Sequence, residues 1–436
     1  MLVKRKYQLA CALTLSGVFA PTLAQAQTPV TDVCDTDVVT AGPRIYGSGG
    51  SAVTATLKTI QGAIANDPNL DPTKKLTIFY TDPVACVGWG DYLTGKSTRT
   101  FRYWVAGPVA NGKPTVVEKL CLAKTGGQPL DFAHMGNAAA ECVANPEVPE
   151  GIGDFAAPIQ STNVVTHPLS NETSISAEAL YFIYGFGPSG QVAPWTDGAG
   201  VFARQSTSFV TLVLGYHVNL TPTQFQGPGK WAVNDEAAVR TNGDVITQIG
   251  TYVGTDEAKA AQSLGYISGS TADQRRSEIK TLAFQGFGAE CGVYPDSTPT
   301  AFDKLNVRLG KYPLWAQGHY FTAVDASGKP TNEHVANLIG WADDSTKPAG
   351  TTVSAFDQII KAGDVPACAM QALREDTAGA FFSYQPPKPC TGRYEFVATG
   401  ATEHDSCEAD SECSGESPFC NYGFCEPYRA DGQEEG

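Results

Sequence analysis

No CxxC pair, HExxH helix, GxSxG turn or glycine-rich phosphate loop occurs in these 436 residues. With them go the sequence grounds for a CxxC redox centre, a zinc protease, a nucleophile-elbow hydrolase and a nucleotide kinase. The six histidines are dispersed as His134, His167, His217, His319, His334 and His404. Their spacing suits no zinc site, and nothing in the pattern calls for a metal or a cofactor. Basic residues are scarce, 30 Lys and Arg against 45 Asp and Glu, for a net charge of −15. That balance argues against nucleic acid or an anionic membrane as partner. It does not exclude a small anion, which N–H dipoles and one buried arginine can hold. Beyond the N-terminus no apolar run approaches the roughly 18 residues of a membrane helix.

The N-terminus carries Lys4-Arg5-Lys6, an apolar stretch from Leu9 to Phe19, and Ala24-Gln25-Ala26. This pattern predicts a secretory signal peptide, residues 1–26, and a periplasmic or secreted mature chain. Cys11 comes too early in the apolar stretch, with Gln8 three residues before it, to mark a lipid anchor. The cysteines left after cleavage are odd in number, so an exported chain is expected to form disulfides and leave one thiol over.

Two hydroxyl-rich turns stand out. Gly47-Ser48-Gly49-Gly50-Ser51 follows the extended run Arg44-Ile45-Tyr46 and precedes a stretch whose Val53, Leu57 and Ile60 share a helical face. Arg204-Gln205-Ser206-Thr207-Ser208 precedes the apolar segment Phe209 to Leu214. A helix start offers unpaired N–H groups and the positive end of its dipole to an oxyanion, and Arg204 adds a bidentate charge. Together the turns read as two halves of an anion cradle: Gly49, Gly50, Ser51, Arg204, Ser206, Thr207 and Ser208.

From Asp35 to about Tyr384 short apolar runs alternate with amphipathic stretches, the pattern of α/β lobes. Leu76 to Tyr80 and Asn163 to Thr166 read as strands, and Ser176 to Tyr184 as a helix capped by Ser174 or Ser176. Lobe 1 is expected over about 35–160 and 300–384 and lobe 2 over about 165–295. The turn-rich Pro295-Asp296-Ser297-Thr298-Pro299 starts the return. Residues 385–406, opening with Gln385-Pro386-Pro387-Lys388-Pro389, read as a stiff linker. Cys407, Cys413, Cys420 and Cys425 mark a small bridged module over 407–428, followed by an acidic tail at 429–436.

The order of these segments resembles the periplasmic phosphate-binding proteins of ABC transporters, over roughly residues 42 to 340. The first turn is similar to that family's Gly-x-Gly-x-Thr. The stretch Ile175 to Phe186, closing at Trp195-Thr196-Asp197, resembles its helix ending in a Trp-Asp turn, and Leu264-Gly265-Tyr266-Ile267-Ser268 its Ile-Gly-Tyr strand. The resemblance implies a type II periplasmic-binding-protein fold, α/β and two-lobed. It implies non-catalytic capture of phosphate or a related oxyanion, with delivery to a membrane transporter. Ser51, Arg204 and Thr207 match ligand-binding positions. Two places depart from the pattern. A hydroxyl-bearing turn is replaced by Asp82-Pro83-Val84-Ala85-Cys86, and a phosphate-binding carboxylate by Gly136. Each lost charge-assisted bond to a buried anion removes about 1.5–3 kcal/mol, so tight phosphate scavenging is not expected.

His134, with Asp131 close by, is a candidate replacement acceptor, set against a plain core or surface histidine. Trp89, Trp195, Trp231 and Trp315 are either cleft walls for a planar or sugar-like solute or core packing. The C-terminal module resembles small cysteine-rich modules of the Dickkopf amino-terminal type and offers either a grip on a cell-surface partner or a protease-resistant cap. The alternative function is a secreted surface or matrix interaction protein that keeps the binding-protein fold without its ligand.

Overall fold

A computed structural model describes residues 30–430 apart from 39, 111, 143, 222–223, 226–240 and 343–352. The signal peptide, Trp231 and residues 431–436 lie outside the described residues.

Strand β1 (Arg44–Gly49) is buried from Ile45 onward and leads into helix α1 (Thr54–Asn66). The expected turn is therefore shorter than Gly47 to Ser51, because Gly47, Ser48 and Gly49 belong to the strand. The two strand glycines serve close approach. A Cβ on Gly47 would lie 2.2 Å from the Phe132 ring, and one on Gly49 would lie 1.9 Å from the His134 carbonyl oxygen. On α1 the Val53, Leu57, Ile60 and Ile64 face is buried as the spacing predicts.

Strand β2 (Thr77–Thr81) lies parallel to β1 and is followed by α2 (Ala85–Leu93). A long hairpin, β3 (Thr100–Ala110) and β4 (Lys113–Leu122), adds the sheet edge, and β5 (Phe132–Met135) pairs with β1 on its other side. Strand β6 runs for 15 residues from Ile152 to Thr166. Helices α3 (Ala177–Phe186), α4 (Phe209–Val218) and α5 (Asn242–Val253) follow, then β7 (Gly265–Ser268), α6 (Gly269–Gln274) and β8 (Trp315–Ala323). The sheet order is β7-β6-β8-β5-β1-β2-β3-β4.

Strand β6 joins the two halves. From Ile152 to Ser161 it pairs with β8, and from Thr162 to Val165 with β7. One apolar core gathers Ile45, Leu57, Ile78 and Phe132, and another Val165, Phe202, Val245, Ile249 and Ile267. The largest cluster includes Trp89, Leu180, Phe209, Tyr266 and Trp315. The α/β architecture follows the expectation.

The stretch read as a linker is different in kind. Cys390 is bonded to Cys368, and Thr391–Thr399 is a helix with Tyr394 buried. Arg393 pairs with Asp357 of the helix Ala355–Ala362, and the Gly392 amide donates to Glu426 at 2.8 Å. The hairpin Phe419–Asn421 with Phe424–Glu426 is therefore docked on the body of the protein. Bridges Cys34–Cys121, Cys86–Cys142, Cys407–Cys420 and Cys413–Cys425 complete the set, and Cys291 is an exposed free thiol. Among the described residues, no helix is long and apolar enough to cross a membrane.

Candidate functional site

The two hydroxyl-rich turns meet. Arg204, only 1% exposed, donates from Nη2 to the Ser51 hydroxyl at 3.1 Å, and from Nη1 to the side-chain oxygen of Asn242 at the start of α5. A second contact closes the same junction, with Ser270 Oγ donating to the Ala52 carbonyl at 3.4 Å. Asn242 is itself held by Ser268 Oγ at 2.8 Å and Thr271 Oγ1 at 3.2 Å. Burial pushes the Arg204 guanidinium down to about 10, while Tyr266, Asp244 and Asp82 act in the opposite direction. It stays charged at neutral pH, reached by a hydroxyl from one half of the molecule and a side-chain amide from the other.

The glycines do less than expected. The Gly50 amide already donates to the His134 carbonyl at 3.1 Å, so that N–H is committed to the sheet. Gly49 is pressed against His134 and Tyr80 on one side and against helix α2 on the other, where a Cβ on Gly88 would lie 2.3 Å from the Gly49 nitrogen. Both glycines thus pack the first turn.

The second turn splits its residues. Ser208 is buried at the start of α4, where its carbonyl accepts from Thr211 and Leu212. Ser206 and Thr207 instead face a cavity of about 1310 Å³, across which stands α2. Arg204 and Thr207, close in sequence, therefore serve different spaces.

His134 sits at the end of β5, 1% exposed, with its ring 3.9 Å from that of Tyr320. Burial, with a smaller contribution from His319, pushes its imidazole down to about 3. Neither ring nitrogen has a hydrogen-bond partner among the described residues. It is a neutral core histidine. Asp131 turns away from it, accepting from the Tyr46 amide and from Asn332.

At Gly136 a side chain would meet the Phe209 ring at 2.7 Å and Gln160 Oε1 at 2.8 Å, so no carboxylate fits there without repacking. Gln160 in turn reaches another carboxylate: Asp364, fully buried, accepts from Gln160 Nε2 at 3.2 Å and from Thr56 Oγ1. Burial pushes it up to about 7. Neither Asp364 nor Asn242 was a candidate from the sequence. Asp364 sits in an unremarkable Gly-Asp-Val stretch, and Asn242 meets Arg204 only through folding.

Trp89, Trp195 and Trp315 are all buried in the central core, so they wall no cleft. Arg374 stacks over Trp315, with its guanidinium carbon 4.3 Å from the ring centroid, and meets His217 Nε2 at 2.9 Å.

No known protein family matches the chain, and no curated protein does. Solved structures similar to it include an ABC-type phosphate transport receptor from Vibrio cholerae, with 16% identity, 74% of this chain and 99% of that one covered, and a TM-score of 0.41. A phosphate-binding protein from Stenotrophomonas maltophilia is 9% identical, with 77% and 92% covered and a TM-score of 0.41. OxyR from Corynebacterium glutamicum is 9% identical, with 70% and 65% covered and a TM-score of 0.36.

Proposed function

We propose that this protein is an exported solute-binding protein that captures a small oxyanion, phosphate or a relative, at the junction of its two lobes without catalysis. The observation that carries this reading is the Arg204–Ser51 contact, in which a buried guanidinium from the second lobe meets a hydroxyl at the start of α1 in the first. An anion entering between them replaces a neutral hydroxyl with a charge-assisted, bidentate partner. Asn242, Ser268 and Thr271 hold the guanidinium in place for that exchange. Delivery to a membrane transporter is the role that follows for such a protein.

Loss of the ligand, leaving an interaction protein, is favoured by one specific observation: the Gly50 amide is bonded to His134 and so withheld from any ligand. Melting curves of the mature chain with phosphate, sulfate and other oxyanions separate the two readings. Capture predicts a ligand-specific rise that Ser51→Ala reduces and Arg204→Lys reduces further, since stabilisation follows RT ln(1 + [L]/Kd). A flat response across the panel favours the interaction protein.

A further inference from the structure

We infer that the cavity between α2 and α4 is a second binding site, one that takes an amphipathic organic cation. At about 1310 Å³ it exceeds the roughly 300–1,000 Å³ of ordinary small-molecule pockets and dwarfs an inorganic oxyanion. Its lining includes the carboxylates Asp91 and Glu141 and no lysine, arginine or histidine among the described residues. Much of the rest is apolar or aromatic, notably Val87, Leu212, Tyr181 and Tyr216.

The carboxylates differ in how far they are spent. Asp91 is bridged to Arg99 at 2.8 Å. Glu141 has one carboxylate oxygen without a hydrogen-bond partner among the described residues, and burial raises its pKa. The Arg374 charge acts on Glu141, but its guanidinium meets His217 and stacks on Trp315 and Phe381, and it is not part of the lining. The Glu141 charge also reaches Tyr216, whose hydroxyl is pushed up by burial and by Glu141 and Asp376. A tyrosine face beside a carboxylate attracts a cation by its quadrupole and by direct charge, and repels an anion.

The wall is built in advance. Cys86 on α2 is bonded to Cys142, next to Glu141, and the Trp89 indole donates to the Asn145 carbonyl at 3.0 Å. The aromatic surface also continues outward along α3. Tyr181 contacts Phe182 and Phe186 at ring separations of 5.4 and 5.6 Å, and these two phenylalanines are 45% and 48% exposed. An apolar ladder leading from solvent to a cavity wall suits the apolar part of such a ligand.

This site is independent of the Arg204–Ser51 reading, and its test leaves that reading untouched. Fluorescence anisotropy of the mature chain with rhodamine 6G, a cationic xanthene dye, is compared with fluorescein, an anionic one, at physiological salt so that diffuse attraction to the acidic surface is screened. The expected result is saturable rhodamine 6G binding, with fluorescein weaker by about tenfold or more. Val87→Trp fills the cavity and abolishes binding, Glu141→Gln narrows the preference between dyes, and phosphate displaces neither. Should Val87→Trp fail to fold, the exposed Tyr216→Ala replaces it and weakens rhodamine 6G several-fold. Equal affinity for the two dyes, saturation by neither, binding untouched by these variants, or displacement by phosphate each overturns the proposal.

Discussion

Two buried cations in this molecule are treated in opposite ways. Lys304, fully buried just before the short helix Leu305–Arg308, is clamped by Asp273 at 2.5 Å and Asp296 at 2.9 Å, with Arg276 joining the same carboxylates at 2.6 and 2.8 Å. The paired carboxylates raise the Lys304 pKa despite burial. Arg204 is equally buried, yet the hydrogen bonds described for it go to the neutral oxygens of Ser51 and Asn242, and burial lowers its pKa. A cation whose task is structural is matched by fixed negative charge. On the proposed reading, the Ser51 hydroxyl is the contact of Arg204 that an anion would displace.

The comparison sharpens first on Lys304. Lys304→Met leaves Asp273 and Asp296 with Arg276 as the one cation described between them and is expected to cost about 3–5 kcal/mol in urea unfolding, the loss typical of a broken buried pair. Arg204→Met removes, among the contacts of this side chain, the hydrogen bonds to Ser51 and Asn242, and its cost without anion is expected to be smaller, about 1–3 kcal/mol. Equal losses at the two positions would break the distinction between them.

A smaller effect concerns Asp364. Its folded pKa of about 7 lies above the ordinary value of 3.8, so the folded state holds a proton there that the unfolded chain releases. Stability from this group is therefore present at low pH and is lost as pH rises from about 4 to 7. His134 and His217 act oppositely. Both are pushed down to about 3, so their stability is full above pH 6.5 and is lost as pH falls toward 3. Measured against the parent chain, Asp364→Asn should gain relative stability from pH 4 to 7 and then level off. A difference independent of pH would show that Asp364 titrates normally.

Much of the frame was legible in the sequence. The apolar spacing of Val53, Leu57 and Ile60 gave the buried face of α1, and Ser176 caps α3 by accepting from the Ala179 amide at 3.1 Å. Strand β6 was read only from Asn163 onward, because Pro158 and the polar run Gln160-Ser161-Thr162 conceal a strand buried on both faces. The helix Thr391–Thr399 was hidden by the prolines before it, and the Cys368–Cys390 bridge, the Arg393–Asp357 pair and the Gly392–Glu426 bond that fix where that segment lies are all contacts distant in sequence or unreadable from it. At the site, Ser51 and Arg204 could be singled out by residue type and local pattern. The partners that give Arg204 its character, and the division between its pocket and that of Thr207, arise from contacts tens of residues apart and leave no local trace.

The most direct test of oxyanion capture is an isothermal titration of the mature protein with inorganic phosphate and, separately, sulfate, alongside Arg204→Lys and Lys304→Arg. The account predicts saturable one-to-one binding of at least one of these anions, retained by Lys304→Arg and weakened by about tenfold or more in Arg204→Lys, whose compact ammonium cannot reproduce the bidentate fork. No heat of binding with either anion, or equal affinity in the Arg204→Lys protein, would contradict it.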